Sequence, residues 1–183
     1  MEYQNLRLYK GSSHNKVSII KRLLYSICDA SLIHWTPKPF NGWRNIVYRL
    51  FGAKIGTGVR IDPNAKITSP WNIEIGDNVW IGFRCILYGS GKIKIGNNVS
   101  IAHNVFIASS AHDISKLDFP TICDDIIIED QCWIASNVFI QKGVTLHKGA
   151  VAAACSLVSR DIPEGMIAMG IPAKPVKQRI VKQ

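Results

Sequence analysis

The chain has 183 residues, is 47% hydrophobic and 19% charged, and carries a formal net charge of +9. No stretch approaches the roughly 18 uncharged apolar residues needed to cross a bilayer, and the N-terminus lacks the pattern of a secretory signal. No nucleic-acid-binding motif is present and the basic residues are not interleaved with stacking aromatics, so the expectation is a cytoplasmic globular protein that does not bind nucleic acid.

The charge is concentrated at one end. Residues 1–54 hold nine Lys/Arg against two acids, whereas residues 55–183 hold thirteen against eleven. A basic segment of this kind suits an anionic surface, and peripheral contact with the inner face of the membrane is one expectation. Within it, residues 16–32 place Val17, Ile20, Leu24, Ile27 and Ser31 on one helical face, with Lys16, Lys21 and Arg22 elsewhere. The Pro37 and Pro39 that follow Trp35 stop this amphipathic helix, because each proline disfavours helix at the residue before it. A second short helix is predicted over 42–51, ending at Gly52. The helices can cap the open end of the following domain, bind membrane or dock an acceptor. Sequence leaves these three open.

From Ile55 an aliphatic residue returns every sixth position. The series runs Ile55, Ile61, Ile67; Ile75, Ile81, Leu87; Ile95, Ile101, Ile107; Ile128, Ile134, Ile140; Leu146, Ala152, Val158. Small or slender residues recur just before the strands, among them Val59, Ala65, Cys85, Val99, Cys132 and Ala150. A period of six fits neither a helix at 3.6 nor a hairpin meander. It fits an all-β solenoid: a triangular coil with three short strands and three corners per circuit, here five circuits of parallel strands. The five cysteines show no metal or disulfide spacing, and Cys85 and Cys132 read as inward fillers.

The step from Ile107 to Ile128 is twenty-one residues, so about fifteen leave the coil as a loop over about 110–126. A long excursion from a tight solenoid is usually functional, and this one contains Ala111-His112-Asp113 and Phe119-Pro120. Asp161 to Gly165 closes the last coil. The division is then a helical cap region over 1–54, the β-helix over 55–169 and a basic tail over 170–183 with Lys174, Lys177, Arg179 and Lys182.

These segments resemble a known family. The hexapeptide repeat, the loop His-Asp, the run Ser156-Leu157-Val158-Ser159-Arg160-Asp161-Ile162-Pro163 and the ending Gly170-Ile171-Pro172-Ala173-Lys174 are similar to the left-handed β-helix acyltransferases. Gly42-Trp43-Arg44, Arg49 through Gly56 and Pro70-Trp71-Asn72-Ile73-Glu74-Ile75-Gly76-Asp77 resemble most the branch of colanic acid and capsular-polysaccharide O-acetyltransferases. The resemblance covers about residues 37–178. It implies a left-handed coil, a homotrimer, acetyl-CoA as co-substrate with no metal required, and a sugar or glycan acceptor belonging to a surface or exopolysaccharide precursor.

The resemblance also implies roles. His112 matches the general base, and imidazole suits that work with its unperturbed pKa near 6.5. Asp113, or a backbone carbonyl, fixes its tautomer. Ser136 matches a donor to the developing oxyanion. Trp133, Ala135, Ala153 and Ala154 match the groove for the pantetheine arm, and Arg160, Lys174 and Lys177 the surroundings of the coenzyme phosphates. Lys stands at 174 where Arg is commoner, which keeps the charge and loses bidentate contact. Tyr88, Trp71 and Asn104 are further candidates for a sugar wall.

Two alternatives keep the same coil. A zinc enzyme like the γ-class carbonic anhydrases needs three histidines around the metal, and only His103 and His112 lie near the loop. A non-catalytic structural β-helix needs no loop histidine.

Overall fold

The computed structural model describes residues 3–11 and 17–182. Three parallel sheets form the sides of a triangular solenoid, the left-handed β-helix expected from the repeat's family resemblance. The first face stacks Lys54–Ile55, Ile73–Ile75, Ile93–Ile95, Ile126–Ile128 and Thr145–Leu146. The second stacks Arg60–Ile61, Trp80–Ile81, Ser100–Ile101, Trp133–Ile134 and Val151–Ala152, and the third Lys66–Ile67, Ile86–Tyr88, Phe106–Ala108, Phe139–Ile140 and Leu157–Val158.

Register follows the repeat. Ile55 pairs with Ile75, Ile75 with Ile95, Ile95 with Ile128 and Ile128 with Leu146. Every anchor is therefore stacked on its equivalent, and all of them are buried. Burying one such side chain contributes about 1.5–3 kcal/mol, so the aliphatic columns dominate the coil's stability. The slender residues before the strands also point inward. Val59, Ala65, Val79, Val105 and Ala150 are all fully or nearly fully buried. Several corners turn on a left-handed residue, as at Asn78 (φ 56°) and Asn98 (φ 56°), where asparagine tolerates the conformation better than most side chains.

Cys85 and Cys132 fill the interior as expected. Burial pushes both thiols up, Cys132 to about 11. Only thiolates react readily, so a limiting thiol reagent should modify exposed Cys155 first. Mass spectrometry of the native protein is expected to show Cys85 and Cys132 unlabelled until the coil is unfolded.

Two features depart from the sequence reading. The coil has five full circuits and two sides of a sixth. Ile162 bridges Leu146 in parallel, and Met166–Gly170 runs parallel to Val151–Ala152. The six-residue count misses this turn because Ile162 follows Val158 by four residues. The basic tail is also folded. Ala173–Gln178 returns antiparallel to Met166–Gly170, with Lys174 opposite Met169 and Lys177 opposite Ile167.

At the N-terminal end, α1 spans Ile19–Cys28 and runs into a π-helical turn, Asp29–Ile33; α2 spans Asn41–Leu50. The side chain of Ser18 caps α1 by accepting from the Lys21 N–H. The predicted start at Lys16 lies outside the described residues. The first circuit leaves carbonyls with no coil beneath them, and buried carbonyls require donors. The helices supply them. Arg49 donates to Ile55 and Gly56, Asn45 to Val59, Arg44 to Ile61, and Tyr25 to Ile67. The inward side of the two helices thus carries these polar donors beside buried Val47 and Tyr48, and most of their other large apolar side chains face outward.

Candidate active site

The long loop leaves the coil at the corner between the third and first faces. Ser109, fully buried, roots it: its N–H donates to the Tyr88 carbonyl and its hydroxyl to Gly91, while Asp124 N–H returns to the Ser109 carbonyl. The base is tight. A Cβ on Gly89 would lie 2.6 Å from the Ser109 hydroxyl, at a φ of +126° that favours glycine anyway. Within the loop, Ser110–His112 pairs antiparallel with Thr121–Cys123 as a short hairpin, where the sequence reading had only irregular chain.

His112 ends the first strand of this hairpin. Its Nδ1 lies 2.9 Å from the Phe119 carbonyl. A carbonyl can only accept, so Nδ1 carries the proton, and in the neutral ring Nε2 presents a lone pair. Phe119 also stacks flat on the imidazole, with centroids 4.3 Å apart and planes 7° from parallel. Phe119 itself has a positive φ of 47°, which is strained for an aromatic residue. Pro120 disfavours the α conformation before it, and Asp113 N–H to Pro120 carbonyl locks the turn. Strain is thereby stored where one residue supplies both a ring and a carbonyl to the histidine.

The Asp113 carboxylate turns away from the ring. It accepts from Ser115 N–H and hydroxyl and pairs with Lys116 at 3.6 Å. The Ser115 hydrogen bonds, with Lys116 beside them, hold it below the usual carboxylate range. It stabilises the turn, and the carbonyl of Phe119 is what contacts Nδ1.

Residues the sequence reading did not single out complete the surroundings. The N-terminal segment, with a 3-10 turn over Leu6–Leu8, crosses the loop, where Asn5 N–H donates to Leu117 and the Tyr9 hydroxyl meets that of Thr121 at 2.8 Å. The Tyr9 ring lies 5.9 Å from His112. Beside them opens a cavity of about 560 Å³. Its walls come from α1 (Arg22, Tyr25), the third face (Lys66, Tyr88), the first inter-face corner (Trp71) and the loop (His112). Tyr88 and Trp71 are therefore in this cavity. Asn104 is on a different corner. No sequence signal links residues 9–29 to the loop, because the contact spans about half the chain.

The remaining predicted residues lie elsewhere on the chain. Gly82, Ala102, Ala135 and Ala153 stack at the corner between the second and third faces, each N–H or carbonyl continuing the same ladder. A Cβ on Gly82 would sit 2.8 Å from the Ala102 carbonyl, so this corner is narrow by necessity. Ser136 and Ala154 follow in the same column, joined by Cys155 N–H to the Ser136 carbonyl. Trp133 stands half-exposed on the second face. Lys174 and Lys177 are exposed on the strand that extends this face, and Arg160 is exposed on the loop's corner above the loop. None of these lines the cavity at His112. One chain thus carries His112 on one corner and a narrow column of small residues on another. His103 accepts from Phe83 N–H on the groove corner, so it and His112 are not neighbours in one chain. Among the described residues no three His, Cys, Asp or Glu side chains gather as a metal site.

No protein-family model matches the chain. Individual relatives do. It is 36% identical over 161 residues to the "Putative colanic acid biosynthesis acetyltransferase WcaF" of Escherichia coli K12, covering 88% of both. It is 28% identical over 153 residues to the galactoside O-acetyltransferase of the same organism, covering 79% of this chain and 72% of that one. Its fold matches the hexapeptide-repeat acetyltransferase of Vibrio cholerae solved with acetyl coenzyme A, with a TM-score of 0.83, 25% identity and 96% and 97% of the chains covered. With its stacked six-residue repeat, its one long histidine-bearing loop and identity of this extent, the chain belongs to the hexapeptide-repeat acetyltransferase family.

Proposed function

We propose that the protein transfers the acetyl group of acetyl-CoA to a hydroxyl of a sugar in a surface or exopolysaccharide precursor. The observation that carries this reading is His112, held as a base by the Phe119 carbonyl on the wall of a cavity with aromatic and hydroxyl-bearing sides. Nε2 takes the proton of the acceptor hydroxyl as its oxygen attacks the thioester carbonyl. The tetrahedral adduct then collapses, the C–S bond breaks, and the imidazolium returns the proton to the leaving thiolate. The cavity's size suits a sugar unit, and its polar walls suit hydroxyl groups.

The donor belongs on the other corner in this reading. A pantetheine arm fits along the column Ala135, Ser136, Ala153 and Ala154, with Trp133 at its side. Ser136 is placed to donate to the developing oxyanion. Lys174 and Lys177 beside this groove, with Arg160 on the loop's corner of the adjoining copy, answer the charge of the coenzyme phosphates. Because base and groove lie on separate corners, the complete site requires a second copy. A cyclic trimer, with each loop reaching the groove of the next subunit, closes three such sites.

The test is release of free thiol from acetyl-CoA by the purified protein, in a screen of sugars, nucleotide sugars and lipid-linked glycans. Acceptor-dependent release, with acetyl found on an acceptor hydroxyl, is the expected result. Absence of turnover with every glycan class would reject the reading in favour of a non-catalytic coil.

A further inference from the structure

The cap helices are inverted. On α1, Tyr25 alone is buried. Ile19, Ile20, Leu23, Leu24 and Ile27 lie opposite it at 74, 70, 60, 53 and 65% exposure. At 100° per residue these five span one continuous face, so the apolar side of the helix points straight away from the body. Trp35 (85% exposed) and Phe40 (57%) lie in the connection to α2, and Trp43, Ile46 and Leu50 are exposed along α2 itself. The cause is visible in the fold. The coil's open end is a row of carbonyls that takes Arg44, Asn45 and Arg49 inward beside Val47 and Tyr48, and the remaining large apolar side chains of the helices are left outside. Isolated exposed leucines need no explanation, but an apolar face of this extent, bordered by polar residues, marks an interaction surface.

The charge around it selects the occupant. Between residues 17 and 54 the acids number one, Asp29, and it is buried, against six Lys/Arg, of which Arg44 is buried too. Lys38 and Lys54 pair with Asp62 and Glu74 of the coil, Lys21 stands over the Trp71 ring, and Arg22 borders the cavity. A second copy would bring the same basic residues to this face, so its charge does not complement it. Exposed Ile, Leu and Trp with flanking Lys and Arg, and no exposed acid, match a helix lying in the headgroup region of an anionic membrane.

We infer that the outward face of α1, with Trp35 and α2 beside it, docks the protein onto an anionic lipid bilayer. The opposite side of α1 forms a wall of the cavity at His112 through Arg22, Tyr25 and Ser26. One helix thus faces lipid on one side and the acceptor cavity on the other. Resting on the acetyl-transfer reading above, this makes the acceptor a lipid-borne glycan, presented to His112 at headgroup level.

Vesicle flotation of the full-length protein tests the docking without reference to catalysis. Vesicles of phosphatidylglycerol and phosphatidylcholine should carry the protein upward, phosphatidylcholine alone should not, and added salt should weaken the effect. Replacing Leu23→Glu and Ile27→Glu together places two charges in the apolar face and should weaken vesicle binding by about tenfold or more. Neither residue touches the cavity, so the variant's thermal melt, sedimentation and thiol release with a soluble acceptor should match the unaltered protein. An Ile20→Glu variant gives an independent reading of the same face. Failure of the unaltered protein to float, or equal flotation of the variants, overturns the docking. A change in the variants' sedimenting mass overturns it too, by making this face a contact between subunits. Flotation without any acetyl transfer sustains the docking and rejects the acceptor reading alone.

Discussion

His112→Ala should lower kcat/KM for acetyl transfer by about 10²–10⁴, the range expected when a positioned general base is removed. The residue is exposed on a hairpin held independently by three cross-strand pairs, Ser110 with Cys123, Ala111 with Ile122 and His112 with Thr121. The variant should therefore fold, and its melting temperature should move little. The geometry also separates the base from its support. The Phe119 carbonyl holds Nδ1–H whichever side chain stands at 119, so Phe119→Leu keeps the tautomer and loses the flat stacking partner. That variant should lose much less than His112→Ala. Asp113→Asn should be milder still, because the Asp113 carboxylate serves Ser115 and Lys116 and not the imidazole. Single-turnover rates of the three variants at saturating acetyl-CoA read this order directly. Near-normal turnover by His112→Ala removes the assignment of His112 as the base. A loss in Asp113→Asn as large as in His112→Ala moves the orienting role from the carbonyl to the carboxylate.

The repeat was legible because each strand contributes one anchor to a straight column. A fixed spacing in sequence then becomes a fixed register in space, as in Ile55, Ile75 and Ile95. The sixth turn was not, because a four-residue step before Ile162 breaks the count although the ladder continues. His112 stood out for a similar reason: it lies in the one excursion long enough to hold a site. Which group orients it was beyond reach, since Asp113 or any backbone carbonyl can serve and no side chain announces the carbonyl of Phe119. The positive φ of Phe119 had no sequence clue, since the Pro120 that follows favours extended backbone before it. The cap was misleading in a more instructive way. Amphipathicity shows that a helix has an apolar face and assumes that this face turns inward. At the end of a coil the underlying surface is backbone carbonyl, so the polar face turns inward instead. Arg44 and Asn45 accordingly face the coil, and Ile20 and Leu24 face outward.

That reversal makes Arg44 the side chain with the most to lose. It is fully buried, and its guanidinium donates to five acceptors: the carbonyls of Ile61, Pro37 and Lys38, the Thr36 hydroxyl and the Asn41 amide oxygen. Burial pulls its pKa down, opposed by Tyr48 and Asp62, yet an arginine stays charged under any ordinary condition. A buried cation without a directly bonded carboxylate is tolerable only because these oxygens surround it. Arg44→Met fills similar space and removes every donor. An apolar replacement can be nearly neutral where both partners are removed, but three of these partners are backbone carbonyls, which no substitution removes. We expect a loss of about 3–5 kcal/mol, and for a chain of this size a fall in Tm of about 10 °C or more. Arg44→Lys should recover little, since one ammonium cannot span a planar fork of five contacts. Urea unfolding of both variants beside Arg60→Ala, whose side chain is exposed on the second face, measures the difference. A loss under 1 kcal/mol for Arg44→Met would mean that apolar packing through Val47 and Tyr48 holds the cap to the coil by itself. A loss in the expected range places the cap's stability in its polar contacts, which is the condition that leaves the apolar faces of both helices outward.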